Sequence, residues 1–447
     1  MLPRTLLHER VHAGIRRTAA TGGTSALVAA LLLVPAAPAS AAPNRVLGYV
    51  ANNGGGVSVL DTATDAVTST LGDGGGDSPY GVGVAFDGAR GYVTNVRDDT
   101  LTVIDTPTNT VDAAVPVGDG PAGVVVSPDG GHVYVSNYFA GTVSVVDAAT
   151  LTTTETIAVG PNADGVAITP DGSRLYVAHD VAGPGTVSVV DTATNTEVAE
   201  IATGSTPTAV AVTPDGAKLL VVNKLSNNVA VVDTASNAVL GTIPVSFIPH
   251  GVAISPDGAR AYVTNSEGHT VSVLDVAAMT AVATVPVGSR PIAVALTPDG
   301  ARAYVTNYNS GTVSVLDTAT LAVVNTVTVG RNPVGIAIHG VPPAATKLVA
   351  GHARIQLRLL GFGLRGLHAT LTESHTGKPV VGKRVAFRTI KGHPLCTATT
   401  NASGTATCDA GVPLLVGLAT LLRGYTAGHA GDQTHAPSRS HGHATLL

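Results

Sequence analysis

Tryptophan is absent from this 447-residue chain, methionine and cysteine occur twice each, aromatic residues make up 3% and charged residues 12%. So few large side chains argue against a helical enzyme core. The 25 Lys plus Arg are set against 30 Asp plus Glu, a net charge of -5, which leaves no broad cationic field for nucleic acid. No HExxH pattern, paired CxxC or close His pair occurs in the repeated region described below, so neither a zinc site nor a bound cofactor is expected there. What is plentiful is glycine, at 52 residues, and hydrophobic content, at 44%. That is ample for buried cores, and its Val-rich, Gly-rich character suits thin, closely stacked sheets. An all-β chain is expected.

The beginning of the chain reads as an export signal. Arg10, Arg16 and Arg17 precede an apolar stretch from Ala26 to Ala37, and Ala39, Ser40 and Ala41 form a small-residue cleavage pattern, with removal expected after Ala41. The stretch is shorter than the ~20 apolar residues that span a bilayer. The mature chain is therefore expected to carry no transmembrane segment and to be secreted or held at the cell surface. Export places Cys396 and Cys408 where a disulfide is permitted. A hairpin about Asn401, Ala402 and Ser403 would set Thr400 opposite Gly404, Ala398 opposite Ala406 and Cys396 opposite Cys408, close enough to bridge.

The strongest signal is self-similarity. A four-residue motif begins at Tyr49, Tyr92, Tyr134, Tyr176, Leu220, Tyr262 and Tyr304, so seven units of 42 to 44 residues follow one another. In the unit from Pro249 to Gly288, an apolar run from His250 to Ser255 meets a turn at Pro256, Asp257 and Gly258. Ala261 to Thr264, Thr270 to Leu274 and Ala281 to Val287 then alternate as strands. Four strands per unit match one blade of a β-propeller, whose two faces both pack on neighbours. The first unit lacks its first strand, and Pro333 to Ile338 supplies one too many at the end. Pairing Val334 to Ile338 with the segment near Val46 would close a seven-bladed ring and leave no open edge.

Tyr262, Val263, Thr264 and Asn265, and again Tyr304, Val305, Thr306 and Asn307, spell out the tetrad of the YVTN-type β-propeller repeat family, which these units closely resemble. The resemblance covers the propeller, expected over residues 44–340. It implies an exported or surface-layer kind of protein, with lactonases and the β-chain of quinoprotein amine dehydrogenases among the broader structural relatives. No position here matches a catalytic or metal-binding residue of those relatives. After a linker at residues 341–345, residues 346–447 resemble a bacterial immunoglobulin-like domain at Gly377 to Phe387, at Cys396 to Cys408 and at Gly431 and Asp432, with a loosely ordered tail from Pro437.

Asp61, Asp105, Asp147, Asp191, Asp233, Asp275 and Asp317 recur in every unit. A ring has one axis, so a residue needed seven times solves a problem that each blade shares, here bracing the next turn. Departures from the repeat are more informative, and they collect on the face holding the connections from second to third strand and from blade to blade. The candidate ligand-binding residues there are Tyr138, Phe139, His179, Lys224, His250, Tyr308 and Arg331. His179 stands where other units have Asn, and so also reads as a loop hydrogen-bonding group. The expected role is a monomeric, non-catalytic binding or scaffold protein whose partner is a protein or a cell-wall polysaccharide. The alternatives are a lactonase-like hydrolase, a quinone-linked dehydrogenase subunit, or a structural part of the envelope.

Overall fold

The computed structural model describes residues 45–72, 78–341, 346–358, 361–374, 377–413, 425–431 and 435–446. The export signal, the 342–345 segment of the linker and the Gly-rich run at 73–77 lie outside them. Among the described residues, no helix is long and apolar enough to cross a membrane.

Seven four-stranded antiparallel sheets account for residues 45–341. The second sheet is typical, with strands Pro79–Val84, Arg90–Asn95, Thr100–Asp105 and Thr110–Pro116 in sequence order. The third to seventh sheets occupy residues 121–158, 163–202, 207–244, 249–286 and 291–328. The first is composite: Arg45–Asn52, Val57–Asp61 and Ala66–Leu71 are joined by Pro333–Val341, which pairs antiparallel with Arg45–Asn52 from Arg45 opposite Val341 to Asn52 opposite Pro333. Strand boundaries in the sixth sheet, such as Thr270–Asp275, follow the sequence expectation to within a residue.

Burial explains the Val-rich middle strands. In Tyr262, Val263 and Thr264, as in Val271, Ser272 and Val273, both faces are covered, whereas the outer strand Thr280–Pro286 is largely exposed. Each apolar cluster draws on two consecutive sheets: Tyr176, Val187 and Val189 meet Leu219 and Val221, for example. Val50, Leu60 and Ile336 of the first sheet meet Tyr304, Val313 and Val315 of the seventh in the same manner. First strands lie side by side from sheet to sheet, with Pro333–Val341 between those of the seventh and second sheets.

Polar contacts between sheets repeat with the motif. The hydroxyl of Thr94 donates to the Ala122 carbonyl at 2.7 Å, that of Thr264 to Ile292 at 2.7 Å, and that of Thr306 to Val334 at 2.7 Å. A cation at the start of the second strand reaches a turn of the following sheet, as Arg174 does to Thr234 at 2.7 Å and Arg260 to Thr318 at 3.2 Å. Arg302 makes the corresponding bond to Thr62 and an ion pair with Asp65 at 2.9 Å, while the Tyr304 hydroxyl donates to Asp65 at 2.6 Å. The motif's Asn is buried and donates to the next strand, Asn265 to Thr270 and Ser272 at 3.0 Å each. The recurrent Asp braces its turn as expected: Asp147 accepts the amides of Ala149 at 3.0 Å and Thr150 at 2.7 Å.

Beyond residue 345 eight strands form one branched sheet system. Thr346–Ala350, His352–Arg358 and Thr405–Pro413 pair with Gly361–Glu373, and Ser438–Leu446, paired with His352–Arg358, continues through Tyr425–His429 to Arg384–Thr389 and Pro394–Thr399. Two expectations are corrected. The tail from Pro437, read as loose, forms the strand Ser438–Leu446, paired with Tyr425–His429 on one side and His352–Arg358 on the other. Its polar, His-bearing sequence is held by backbone pairing, which hydrophobic alternation does not report. The turn at Asn401 to Gly404 is present, but Pro394–Thr399 and Thr405–Pro413 do not pair with each other; each pairs with a different strand, Arg384–Thr389 and Gly361–Glu373.

The Cys396–Cys408 disulfide therefore ties together two branches of the sheet system that backbone bonds leave separate, with 6.5 Å between the Cα atoms. Its 12-residue separation corresponds to a loop-closure contribution of about 3 kcal/mol. Replacing both cysteines with alanine is expected to lower the stability of this module by that order. Calorimetry checks it: the transition of the carboxyl-terminal module should move down while that of the propeller stays where it is.

Candidate functional site

The second residue of each first strand varies from unit to unit and is followed by a small one: Tyr80 and Gly81, Asp164 and Gly165, His250 and Gly251. The small residue is required because the backbone of the following sheet crosses it. A Cβ on Gly251 would lie 2.5 Å from the Ile292 carbonyl oxygen, and one on Gly335 would overlap the Tyr80 carbonyl. The varying residues Tyr80, Asp164 and His250 line one cavity.

The cavity, of about 350 Å³, is lined by Asn53, Ser78, Tyr80, Val96, Arg97, Gly120, Ala122, Tyr138, Phe139, Asp164, Asp180, Lys224 and His250. Two tiers build it: Tyr80, Asp164 and His250 come from first strands of the second, fourth and sixth sheets, and Tyr138, Asp180 and Lys224 follow the second strands of the third, fourth and fifth. Asp164 is only 7% exposed, and its remaining surface is cavity wall. Among the described residues, the Tyr80 hydroxyl, the Asp164 carboxyl and the His250 ring make no hydrogen bond to protein. Asp164 is buried while Tyr80 and His250 are half-buried, and the polar atoms of all three stay open to the cavity, so three such groups around one space are free to meet water or a ligand.

Burial, reinforced by the charge of Asp180 and opposed by Lys224, pushes the Asp164 carboxyl up to about 7. Burial also raises Asp180, against the pull of Lys224, whose Nζ stands 3.8 Å from its Oδ2. The His250 ring is driven down to about 4, by burial first and then by the positive charges of Lys224 and Arg290. Tyr80 is held far into its neutral form by burial and by Asp164 and Asp180. Near neutral pH the cavity thus presents a carboxyl whose ionisation burial opposes, a neutral imidazole, a neutral phenol and the Asp180–Lys224 ion pair, with Arg97 also in its lining. At the mouth, the rings of Tyr138 and Phe139 meet edge to face with centroids 5.3 Å apart, and Phe139 is 65% exposed.

Four of the seven residues expected from sequence, Tyr138, Phe139, Lys224 and His250, come together here. His179 is buried elsewhere, its Nδ1 facing the Pro161 carbonyl at 3.0 Å and its Nε2 2.7 Å from the Ser188 hydroxyl; it occupies the place of the motif's Asn. Tyr308 lies under the Arg290 guanidinium, 5.1 Å from its ring centroid. Arg331 accepts the Gly54 amide through its carbonyl at 3.0 Å, between the seventh and first sheets. Tyr80 and Asp164 are missing from the sequence expectation although they hold the same strand position as His250. That shared position, variable in every unit and always ahead of Gly or Ala, was the available signal. Among the described residues no group of three or more His, Cys, Asp or Glu is placed to hold a metal ion.

Residues 137–290 match the choice-of-anchor I domain family, and residues 43–167 match the cytochrome D1 heme domain family. Hydrazine synthase of Kuenenia stuttgartiensis is similar in structure, with 27% identity and a TM-score of 0.54, over 59% of this chain and 90% of that one. So is a functionally unknown protein from Desulfotomaculum acetoxidans DSM 771, with 21% identity and a TM-score of 0.59, over 66% of this chain and 99% of that one. None of the curated proteins matches. Both families and both structures support a β-propeller. The 1537 matching chains of solved structures make the shape a common one, and a common shape selects no activity.

Proposed function

We propose that this chain is an exported binding protein, a closed seven-bladed propeller whose central cavity takes a small polar ligand, followed by an immunoglobulin-like module. The observation that carries this reading is the set of three inward-facing polar side chains, Tyr80, Asp164 and His250, that lack protein partners. Such groups are tolerated when water or a ligand satisfies them. Closure is supported by the bonds from Arg302, Tyr304 and Thr306 to the first sheet, which repeat those between other neighbours. Export and a surface location are supported by the likeness to a choice-of-anchor domain. Of the residues expected to touch the ligand, Tyr138, Phe139, Lys224 and His250 are retained as contacts, joined by Tyr80 and Asp164, while His179, Tyr308 and Arg331 do not line the cavity.

The match to a cytochrome D1 heme domain raises a second reading, a haem-bearing propeller. The residues do not fit that group. A haem takes an axial side-chain ligand within a pocket that accepts its flat ring; this cavity, near the small end of ligand sites at about 350 Å³, is walled by Asp164, Asp180 and Lys224. Among the described residues His250 is the one histidine that lines it, and it lies outside the matched residues 43–167. No chemistry is routed through a haem here.

The test is a thermal-shift screen of the full exported chain against small polar compounds, run beside Asp164→Asn. A ligand present at 100 times its Kd adds about 2.7 kcal/mol. At least one compound should raise Tm by several degrees in the native chain and by much less in the variant. If every compound that shifts the native chain shifts Asp164→Asn equally, the central cavity is not the binding site.

A further inference from the structure

Resting on that reading, we infer that the central cavity takes a neutral, polyhydroxylated ligand, a single sugar unit, either free or at the end of a polysaccharide. The cavity offers hydrogen-bonding groups of both senses beside one ion pair and a carboxyl whose ionisation burial opposes. The Tyr80 hydroxyl both donates and accepts, the Asp164 carboxyl accepts, and the neutral His250 ring carries one donor and one acceptor. A hydroxyl is the one common ligand group that satisfies donors and acceptors alike, so several hydroxyls on one ring complement this trio.

Charge disfavours the competing classes. The charge of Lys224 is matched by Asp180 at 3.8 Å, and Arg97 already has a partner. An ammonium ligand would meet the same burial, and beside it the positive charges of Lys224 and Arg290, that disfavour a proton on His250. A carboxylate or phosphate would face Asp164 and Asp180 at close quarters. Neither ion finds an uncompensated opposite charge other than a carboxyl that is itself only partly ionised.

The mouth adds a flat apolar surface. Phe139 is 65% exposed and is fixed against Tyr138 at 5.3 Å, and Gly120 lies beneath it, since a Cβ there would collide with the ring. An aromatic face carries negative potential, so the weakly positive C–H face of a pyranose can lie on it while its hydroxyls point inward. The volume, about 350 Å³, suits a compact ligand rather than an extended chain.

Binding is measured by calorimetry or saturation-transfer NMR on the full exported chain at pH 6. The probes are the methyl glycosides of glucose, galactose, mannose and N-acetylglucosamine, with glucosamine, glucuronic acid and inorganic phosphate as charged counterparts. At least one neutral glycoside should bind, at least tenfold tighter than the charged probes, and Asp164→Asn and Phe139→Ala should each weaken it tenfold or more. Phe139→Ala alters only an exposed side chain, so its result does not depend on folding. A charged probe that binds tighter than every neutral glycoside overturns the inference, as does a non-sugar that occupies the cavity when no glycoside does; both leave a binding cavity standing. If no compound of any class responds to Asp164→Asn, the binding reading itself fails. Competition by wall polysaccharide for a bound glycoside assigns the sugar to a chain end, and lack of competition assigns it to a free sugar; both outcomes support neutral-sugar chemistry.

Discussion

A chain of residues 45–331, lacking Pro333–Val341, is expected not to fold, whereas residues 45–341 fold to a cooperative monomer. The missing strand buries Val334, Ile336 and Val341 and packs Ile338 against the core. At about 1.5 to 3 kcal/mol for each apolar side chain, four of them amount to roughly 6 to 12 kcal/mol, comparable to the whole stability of a typical domain. The loss also strips Arg45–Asn52 of a partner and exposes its edge to other chains. Thr306 loses its acceptor at Val334 as well. Circular dichroism and size-exclusion chromatography decide the matter: the shorter chain should aggregate without a cooperative melt. A soluble shorter chain that melts within a few degrees of the longer one would mean that the first sheet is complete without that strand.

The second large effect is a pair of opposed pH dependences at the cavity. The Asp164 carboxyl is held at about 7, against 3.8 ordinarily. Between pH 4 and 7 the folded chain keeps a proton that the unfolded chain has released, so stability falls as pH rises, by about 4 kcal/mol over three pH units. His250 acts in the reverse sense. Its ring is held at about 4, against 6.5, so below pH 6.5 the unfolded chain takes up a proton that the folded ring refuses. Stability therefore climbs from pH 4 to 6.5, by about 3 kcal/mol. In the native chain the two slopes nearly cancel. Relative to the native chain, Asp164→Asn should make the slope of stability against pH more positive, and His250→Gln should make it more negative. Urea unfolding at pH 4.0, 5.0, 6.0 and 7.0 reads both. Changes of the same sign in the two variants, relative to the native chain, would show that the cavity does not perturb these groups as described.

The repeat was legible because each sheet solves the same packing problem. Tyr262 to Asn265 must be buried on both faces, brace the next strand and bond to the following sheet, and that triple demand permits few residues. The extra strand near residue 336 was visible for the same reason, since the Pro, Gly, Ala and Ile of Pro333 to Ile338 repeat those of Pro249–Ile254. The cavity was only half legible. Attention to loops found Tyr138, Phe139 and Lys224, but Tyr80 and Asp164 sit inside regular strands, where variation resembles tolerance. His179 illustrates the converse: an unusual residue in a variable loop whose ring is taken up by Pro161 and Ser188. In the carboxyl-terminal module, strand partners are set by long-range backbone pairing. The parallel match of His352 with His443 has no local signature, and adjacency in sequence did not make partners of the strands bearing Cys396 and Cys408.

Hydrogen exchange followed by mass spectrometry, on the full chain, tests the closed ring most directly. If Pro333–Val341 completes the first sheet, peptides covering residues 45–52 and 333–341 should exchange together, and only as slowly as the propeller unfolds globally. Exchange of either peptide within seconds, while Arg260–Asn265 stays protected, would contradict a ring joined at that seam.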